Sequence, residues 1–324
     1  MFDKVLGQPK AVTFFQRALT GGRLSHAYLL HGPHGVGKKL LAEQVAANLF
    51  CRHDPVSSPC GACPGCHKYA SGNHPDFLRV QPEGPSIKIS RVRDLKQELT
   101  FAPFAGGYRV ILVEDVHTMR REAGNSLLKI LEEPPAQTLF LLLSVSLETV
   151  LPTILSRCQL IPCTSLPLEL AARIVQRERP DLSAEEAFIL AQLADGCPGQ
   201  ALTLNSGKIY PLYVQSMEIL LGDERRAEER ILSGLALAAQ WDGLQDELPL
   251  FLHLLRFFFK ETLVPPVVEF PGEARRQWLD KARERWNFQQ ISGNLKQIDY
   301  AEQAIKRNCN RGLTCEVLAL HLLT

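Results

Sequence analysis

The sequence lacks a surplus of charge of either sign. Its 36 basic and 35 acidic residues leave a formal net charge of +1, which argues against a protein that holds nucleic acid by its own electrostatic field. Any DNA contact is expected to be local or shared with partners. No apolar run approaches about 18 residues, and the N-terminal MFDKVLGQPK has no apolar h-region. Neither a membrane span nor a signal peptide is therefore expected. The expected location is cytoplasmic, where the nine cysteines are thiols or metal ligands rather than disulfides. At 324 residues the chain is long enough for two or three domains.

What the sequence does contain is a glycine-rich stretch, Ser25 to Lys39, SHAYLLHGPHGVGKK. Gly32, Gly37 and Lys38 fit the G-x-x-x-x-G-K pattern of a phosphate-binding loop, with Gly35 and Val36 inside it. Ala27 to Leu30 reads as a buried strand, and the glycines let backbone N–H groups converge on an anion. The helix beginning near Gly37 adds its positive dipole end, and Lys38 reaches the outer phosphates as a point charge. The next position, normally Ser or Thr, is Lys39. The missing hydroxyl is a direct magnesium ligand, and an ammonium cannot coordinate a cation. ATP or ADP binding is thus expected to survive better than magnesium binding or hydrolysis. By themselves these residues also admit an ordinary strand-glycine-helix turn.

Gln8 to Leu19 has helical periodicity, and a lid or adenine-contacting role suits it. Lys39 to Phe50 continues the loop as a helix, with Leu40, Leu41, Val45, Ala46 and Leu49 on its buried side. Cys51-x8-Cys60-x2-Cys63-x2-Cys66 follows. Four soft ligands among turn-forming Pro and Gly point to structural Zn2+ in a closed tetrahedral site, free surface thiols being the alternative. Cys158, Cys163, Cys197, Cys309 and Cys315 lie outside the cluster and are expected in the core.

His74-Pro75-Asp76 is expected to serve a turn or a cap. Strand Phe77 to Val80 comes next, then a helix from Ser90, its N-cap, to Leu99. The apolar strand Tyr108 to Val113 ends in Glu114-Asp115. Acids at a strand tip suit magnesium binding and water polarisation, but the usual order is Asp then Glu. The inversion moves each carboxylate by about a methylene and disturbs an in-line geometry. Arg120 to Glu132 is an amphipathic helix, and Thr138 to Val145 a further buried strand. In PTILSRC, residues 152–158, Arg157 occupies a turn before the apolar segment Gln159 to Cys163. Its planar fork suits a neighbouring subunit's phosphate, whereas in isolation a surface salt bridge is the ordinary role.

HAYLLHGPHGVGK (26–38), the four cysteines, HPDF (74–77), NSLLKILEEPP (125–135) and LPTILSRC (151–158) together resemble bacterial clamp-loader AAA+ proteins. The resemblance is dense over the first half and covers the second only by length and helical character. It implies an α/β P-loop AAA+ (RecA-like) domain with a zinc module over 1–165, a small helical lid domain over 166–208, and an all-α collar domain over 209–324. It also implies a component of DNA polymerase III that helps load a sliding clamp onto primed DNA. Partners are then the delta and gamma/tau subunits. The family role of the SRC arginine, acting in trans on an adjacent ATPase, falls on Arg157, and that of the zinc ligands on Cys51, Cys60, Cys63 and Cys66.

Three departures separate the chain from a gamma/tau-type motor ATPase, the alternative reading. They are Lys39, the inverted pair Glu114-Asp115, and Gly199, which stands where a motor's lid arginine is found. The PEGPSIKIS stretch points the same way. An assembly subunit with weak or absent ATPase of its own is expected. A small-molecule P-loop kinase is disfavoured by the absence of a recognisable acceptor site and by the long helical tail.

In the second half, Pro167 to Arg179, Ser183 to Ala194 and Gly199 to Asn205 read as short helices with a boundary at Gly207. Segments 212–221, 224–240, 247–263, 272–286, 288–307 and 313–323 read as an all-helical domain. LLRFFFK (254–260) is expected in the core. The basic stretch of Arg275, Arg276, Lys281, Arg283 and Arg285 is expected as a solvated face.

Overall fold

The computed structural model describes residues 2–53, 59–84, 86–204, 206–222, 227–264, 273–307 and 309–323. Parts of the PEGPSIKIS stretch and the starts of the segments expected at 224 and 272 lie outside them. The first half alternates helix and strand: α1 Pro9–Thr20, β1 Ala27–His31, α2 Lys38–Phe50, α3 Pro64–Ala70, β2 Phe77–Val80, α4 Ile89–Glu98, β3 Arg109–Val113, α5 Arg121–Glu132, β4 Thr138–Ser144, α6 Pro152–Leu155 and β5 Gln159–Pro162. The strands form one parallel sheet in the order β2-β3-β4-β1-β5.

Continuous apolar runs build this sheet, because a parallel sheet is covered on both faces. RVILV of β3 and TLFLLLS of β4 are buried at every position. The register sets Leu29 beside Leu142 and Ile111 beside Phe140. One core joins Leu29, Ile111 and Phe140 to Val92 and Leu95 of α4 and Leu127 of α5. This packing holds the C-terminal ends of β1 and β3 side by side with β4, so the loop and the acid pair open at one edge.

Some local details differ from the sequence reading. Lys88, not Ser90, is the N-cap of α4, with no capping side-chain bond. Burial of Ile87, fully enclosed, draws the chain into the helix before Ser90 is reached. Leu40 is exposed, because the buried side of α2 is carried by Leu41, Ala42, Val45 and Ala46. Arg157 stands in the turn expected for it, and what the sequence did not show is the short helix before that turn, with Pro152 in its first turn.

The remaining helices are α7 Leu168–Glu178, α8 Ala184–Leu193, α9 Pro198–Ala201, α10 Ser206–Leu221, α11 Ala227–Asp242, α12 Leu248–Leu263, α13 Glu273–Arg285, α14 Phe288–Lys306 and α15 Arg311–Leu323. No described helix is long and apolar enough to cross a membrane. The chain forms two compact units, one of residues 1–174 with 195–200 and the other of 175–194 with 201–324. The segments between 166 and 208 are thus shared between them.

Within the helical unit, Trp241, Tyr213, Phe251, Phe258 and Phe259 are fully enclosed. In LLRFFFK, Leu254, Leu255, Phe258 and Phe259 are core as expected, whereas Lys260 is exposed and Arg256 reaches Asp299 and Glu302 of α14. Arg275 departs from the expected solvated face. It is completely buried, donating from Nη2 to Glu261 Oε2 at 2.6 Å and from Nη1 to the Tyr213 hydroxyl at 3.0 Å. A charge can enter the core only with such partners. Cys309 is exposed, while Cys163, Cys197 and Cys315 are buried and Cys158 is partly so.

Candidate nucleotide and metal sites

The chain leaves β1 through Gly32, at φ 148°, and passes Gly35 and Gly37 at φ 75° and 101°. These values favour glycine, and at Gly32 a Cβ would also stand 1.9 Å from the Cys163 carbonyl oxygen. Val36 is buried between them, and Gly37 caps α2. Lys38 is only 8% exposed. Its Nζ donates to the carbonyls of Gly32 at 2.6 Å and Pro33 at 2.7 Å, which leaves one of its three N–H bonds for an anion. Burial pushes the Lys38 ammonium below its ordinary pKa, opposed by Cys163, Asp115 and Cys197.

Two braces fix this loop. Gln8, expected to start α1, instead precedes it in a left-handed conformation. Its Nε2 donates to Thr164 O at 2.6 Å and Val36 O at 3.3 Å, and its Oε1 accepts from Thr164 N at 3.1 Å. On another side, Gly199 N donates to Gly35 O at 2.8 Å. A Cβ on Gly199 would meet Gly35 Cα and O at 2.9 Å, so no side chain fits there while the loop keeps this form. Helical periodicity pointed to α1 but not to Gln8, whose role depends on contacts across 156 residues.

Glu114 and Asp115 stand at the end of β3. Lys39 Nζ lies 2.9 Å from Glu114 Oε1 and 3.0 Å from Oε2. The residue that replaces the magnesium-binding hydroxyl therefore takes both oxygens of the neighbouring acid. Asp115 is left-handed at φ 48°, and its carbonyl accepts from both Thr118 N and Thr118 Oγ1 at 2.8 Å. Magnesium demands near-octahedral oxygen ligands, and an ammonium at this position supplies none. The residues present do not fit that ion.

The cysteine cluster is built where α2 ends and α3 begins. Cys51 is the C-cap of α2 and Cys63 the N-cap of α3, its Sγ accepting from Cys66 N. The α3 helix starts at Pro64, which places Cys63 and Cys66 on either side of its first turn. Cys60 Sγ accepts from Cys63 N at 3.4 Å, and the four Sγ atoms lie within 4.8 Å of one another. A tetrahedral ion with sulfur ligands at about 2.3 Å sets its sulfurs about 3.8 Å apart. Cys60 and Cys66 are at 3.9 Å, so the donor set fits, and the four-cysteine group can bind a metal. Amides of Arg52 and Cys66 hold the Cys63 thiol well below its ordinary pKa, whereas burial pushes Cys66 up.

Arg157 is committed within its own chain. Nη2 donates to Glu132 Oε1 at 2.5 Å, and Nη1 to Thr153 O at 3.0 Å and Ser156 Oγ at 3.1 Å. It is one-third exposed, and none of these bonds goes to the loop or the acid pair. His74 and Asp76 have the turn-holding role expected of them. His74 stacks on Phe50, and its Nδ1 accepts from Asp76 N. The Asp76 carboxylate accepts from the amides of Phe104 and Ala105, each at 2.8 Å.

A five-stranded parallel sheet carrying this loop at β1 and acids at β3 defines a P-loop α/β protein of the AAA+ type. Residues 7–167 match the family described as DNA polymerase III, delta subunit. DNA polymerase III subunit delta' of Pseudomonas aeruginosa is 33% identical over 92% of both chains. The Bacillus subtilis subunit of that name is 34% identical over 58% of this chain and 56% of its own. DNA polymerase III subunit tau of Escherichia coli is 30% identical over 78% of this chain but only 43% of its own length. Among solved structures, a Thermotoga maritima gamma subunit-related protein aligns over 97% of this chain and 98% of its own, at 20% identity and a TM-score of 0.43. The chain belongs to the delta-prime subunit family of the bacterial DNA polymerase III clamp loader.

Proposed function

We propose that the chain is the delta-prime assembly subunit of the clamp loader, helping to place a sliding clamp on primed DNA and hydrolysing little or no ATP itself. The observation that carries this reading is the Lys39–Glu114 ion pair. It removes from the phosphate-binding loop the carboxylate and the hydroxyl position on which magnesium-assisted hydrolysis depends. Within the cytoplasmic complex, Arg157 leaves Glu132 and enters the nucleotide site of a gamma/tau neighbour. There its guanidinium stabilises charge developing on the transferred phosphoryl group. The delta subunit is the other partner. Residues 166–208 act as lid and 209–324 as collar, and the four cysteines hold structural zinc.

The likeness to tau supports the motor alternative. ATP turnover by the isolated chain separates the two: the assembly subunit shows none above background, whereas turnover abolished by Lys38→Ala establishes a motor. The trans role is checked in a loader reconstituted with delta and gamma/tau subunits, sliding clamp and primed DNA. Arg157→Ala is expected to lower DNA-stimulated ATPase at least tenfold, by analogy with other arginine fingers. An unchanged rate removes that role.

A further inference from the structure

We infer that the loop from Gly32 to Lys39 takes a nucleoside polyphosphate free of magnesium, the Lys39 ammonium serving as its resident cation. This rests on the proposed family role and on the expectation from the sequence that the loop still binds ATP or ADP, and states in which form the ligand enters. The anion cradle is already shaped: Gly32, Gly35 and Gly37 hold their positive φ values. Lys38 is steered by two carbonyl bonds, with one donor left over. Cradle and helix N-terminus both select negative charge.

The cation position has a different owner. Lys39 Nζ contacts both Glu114 oxygens, and its side chain is 46% exposed, so the ammonium also faces the solvent from which a phosphate arrives. A magnesium ion entering with the nucleotide would have to displace this ammonium from Glu114 and then stand beside it, two like charges at close range. It would also cancel phosphate charge that Lys38 and Lys39 otherwise meet. Magnesium therefore competes with binding here instead of assisting it. In the same arrangement no metal-bound water can be polarised, so the nucleotide is held without being hydrolysed.

The test is calorimetric titration of the purified full chain with ATP, and separately with ADP, in EDTA and in excess magnesium chloride. The wild-type chain is expected to bind in EDTA, and about twofold to fivefold more weakly in magnesium, the range of a partly exposed charge interaction. Lys39→Thr restores the hydroxyl and frees Glu114, and is expected to bind only when magnesium is present. Lys39→Met removes the ammonium without supplying a ligand, and is expected to weaken binding in EDTA while leaving the thermal melt in place. Wild-type binding that requires magnesium overturns the metal-free inference and leaves the nucleotide site standing. The same inference fails if both Lys39 variants keep the wild-type response to magnesium. No binding in either medium overturns the inference and the nucleotide site together.

Discussion

The phosphate-binding loop and the cysteine cluster lie at opposite ends of the same helix, α2, and they are built on opposite principles. The loop is a backbone site. Its amides and the positive φ of Gly32, Gly35 and Gly37 make the cradle, while the side chains around it have changed partners, Lys39 holding Glu114. The cluster is a side-chain site. Four sulfurs within 4.8 Å constitute it, and the backbone only delivers them. A backbone site can keep its shape after the side chains beside it are altered, because the amides that form its cradle belong to no replaceable side chain. A side-chain site loses its metal with its first ligand.

The largest effect is therefore expected at the cysteines. Cys63→Ser is expected to remove the metal, about one ion per wild-type chain by elemental analysis, and to lower the thermal midpoint of the first unit markedly. Isolated zinc modules draw about 10–16 kcal/mol from their ion, an upper bound for a module tied to a sheet. Retained metal with an unchanged melt would sink the four-cysteine assignment. Next in size is a side-chain arrangement with no ligand to hold. Glu261→Ala leaves Arg275 buried without its carboxylate, at an expected cost of about 3–5 kcal/mol in denaturant unfolding.

At the loop, Gly199→Arg places a side chain where even a Cβ stands 2.9 Å from Gly35. Restoring a motor-like residue is thus expected to destabilise the first unit by about 1–3 kcal/mol, as overpacking does, without creating ATP turnover. A variant as stable as wild type and newly active would show that the loop differs from a motor by this residue alone. The smallest effect is expected at Glu132. Its ion pair with Arg157 is 48% exposed on the carboxylate side, so Glu132→Gln should change stability by no more than about 1 kcal/mol. On the proposed trans role the pair opens before Arg157 reaches a neighbour, so reconstituted-loader ATPase is expected to rise by up to about fivefold; a fall would mean that Glu132 positions the guanidinium.

Legibility followed the same divide. Apolar runs such as RVILV and TLFLLLS disclosed the buried strands, and the closely spaced cysteines disclosed their cluster, because both signals are local. Arg275 could not be read in this way. Its neighbours on α13 are interleaved charges, and only the approach of Glu261 on α12 and Tyr213 on α10 allows it inside. Gln8 is similar: its bonds to Val36 and Thr164 join parts of the chain that periodicity treats separately.

By itself the sequence determined the parallel α/β half, the helical second half, the phosphate-binding loop and its irregular lysine, and the four thiols. Each is written in residue types at short spacing, where steric and hydrophobic preferences act within one element. Only the tertiary structure decided what Lys39 holds, why position 199 has no room for a side chain, where Arg157 rests, and how Arg275 is buried. Those outcomes depend on which side chains the sheet and helices bring within about 3 Å of one another, the range over which a hydrogen bond or ion pair forms.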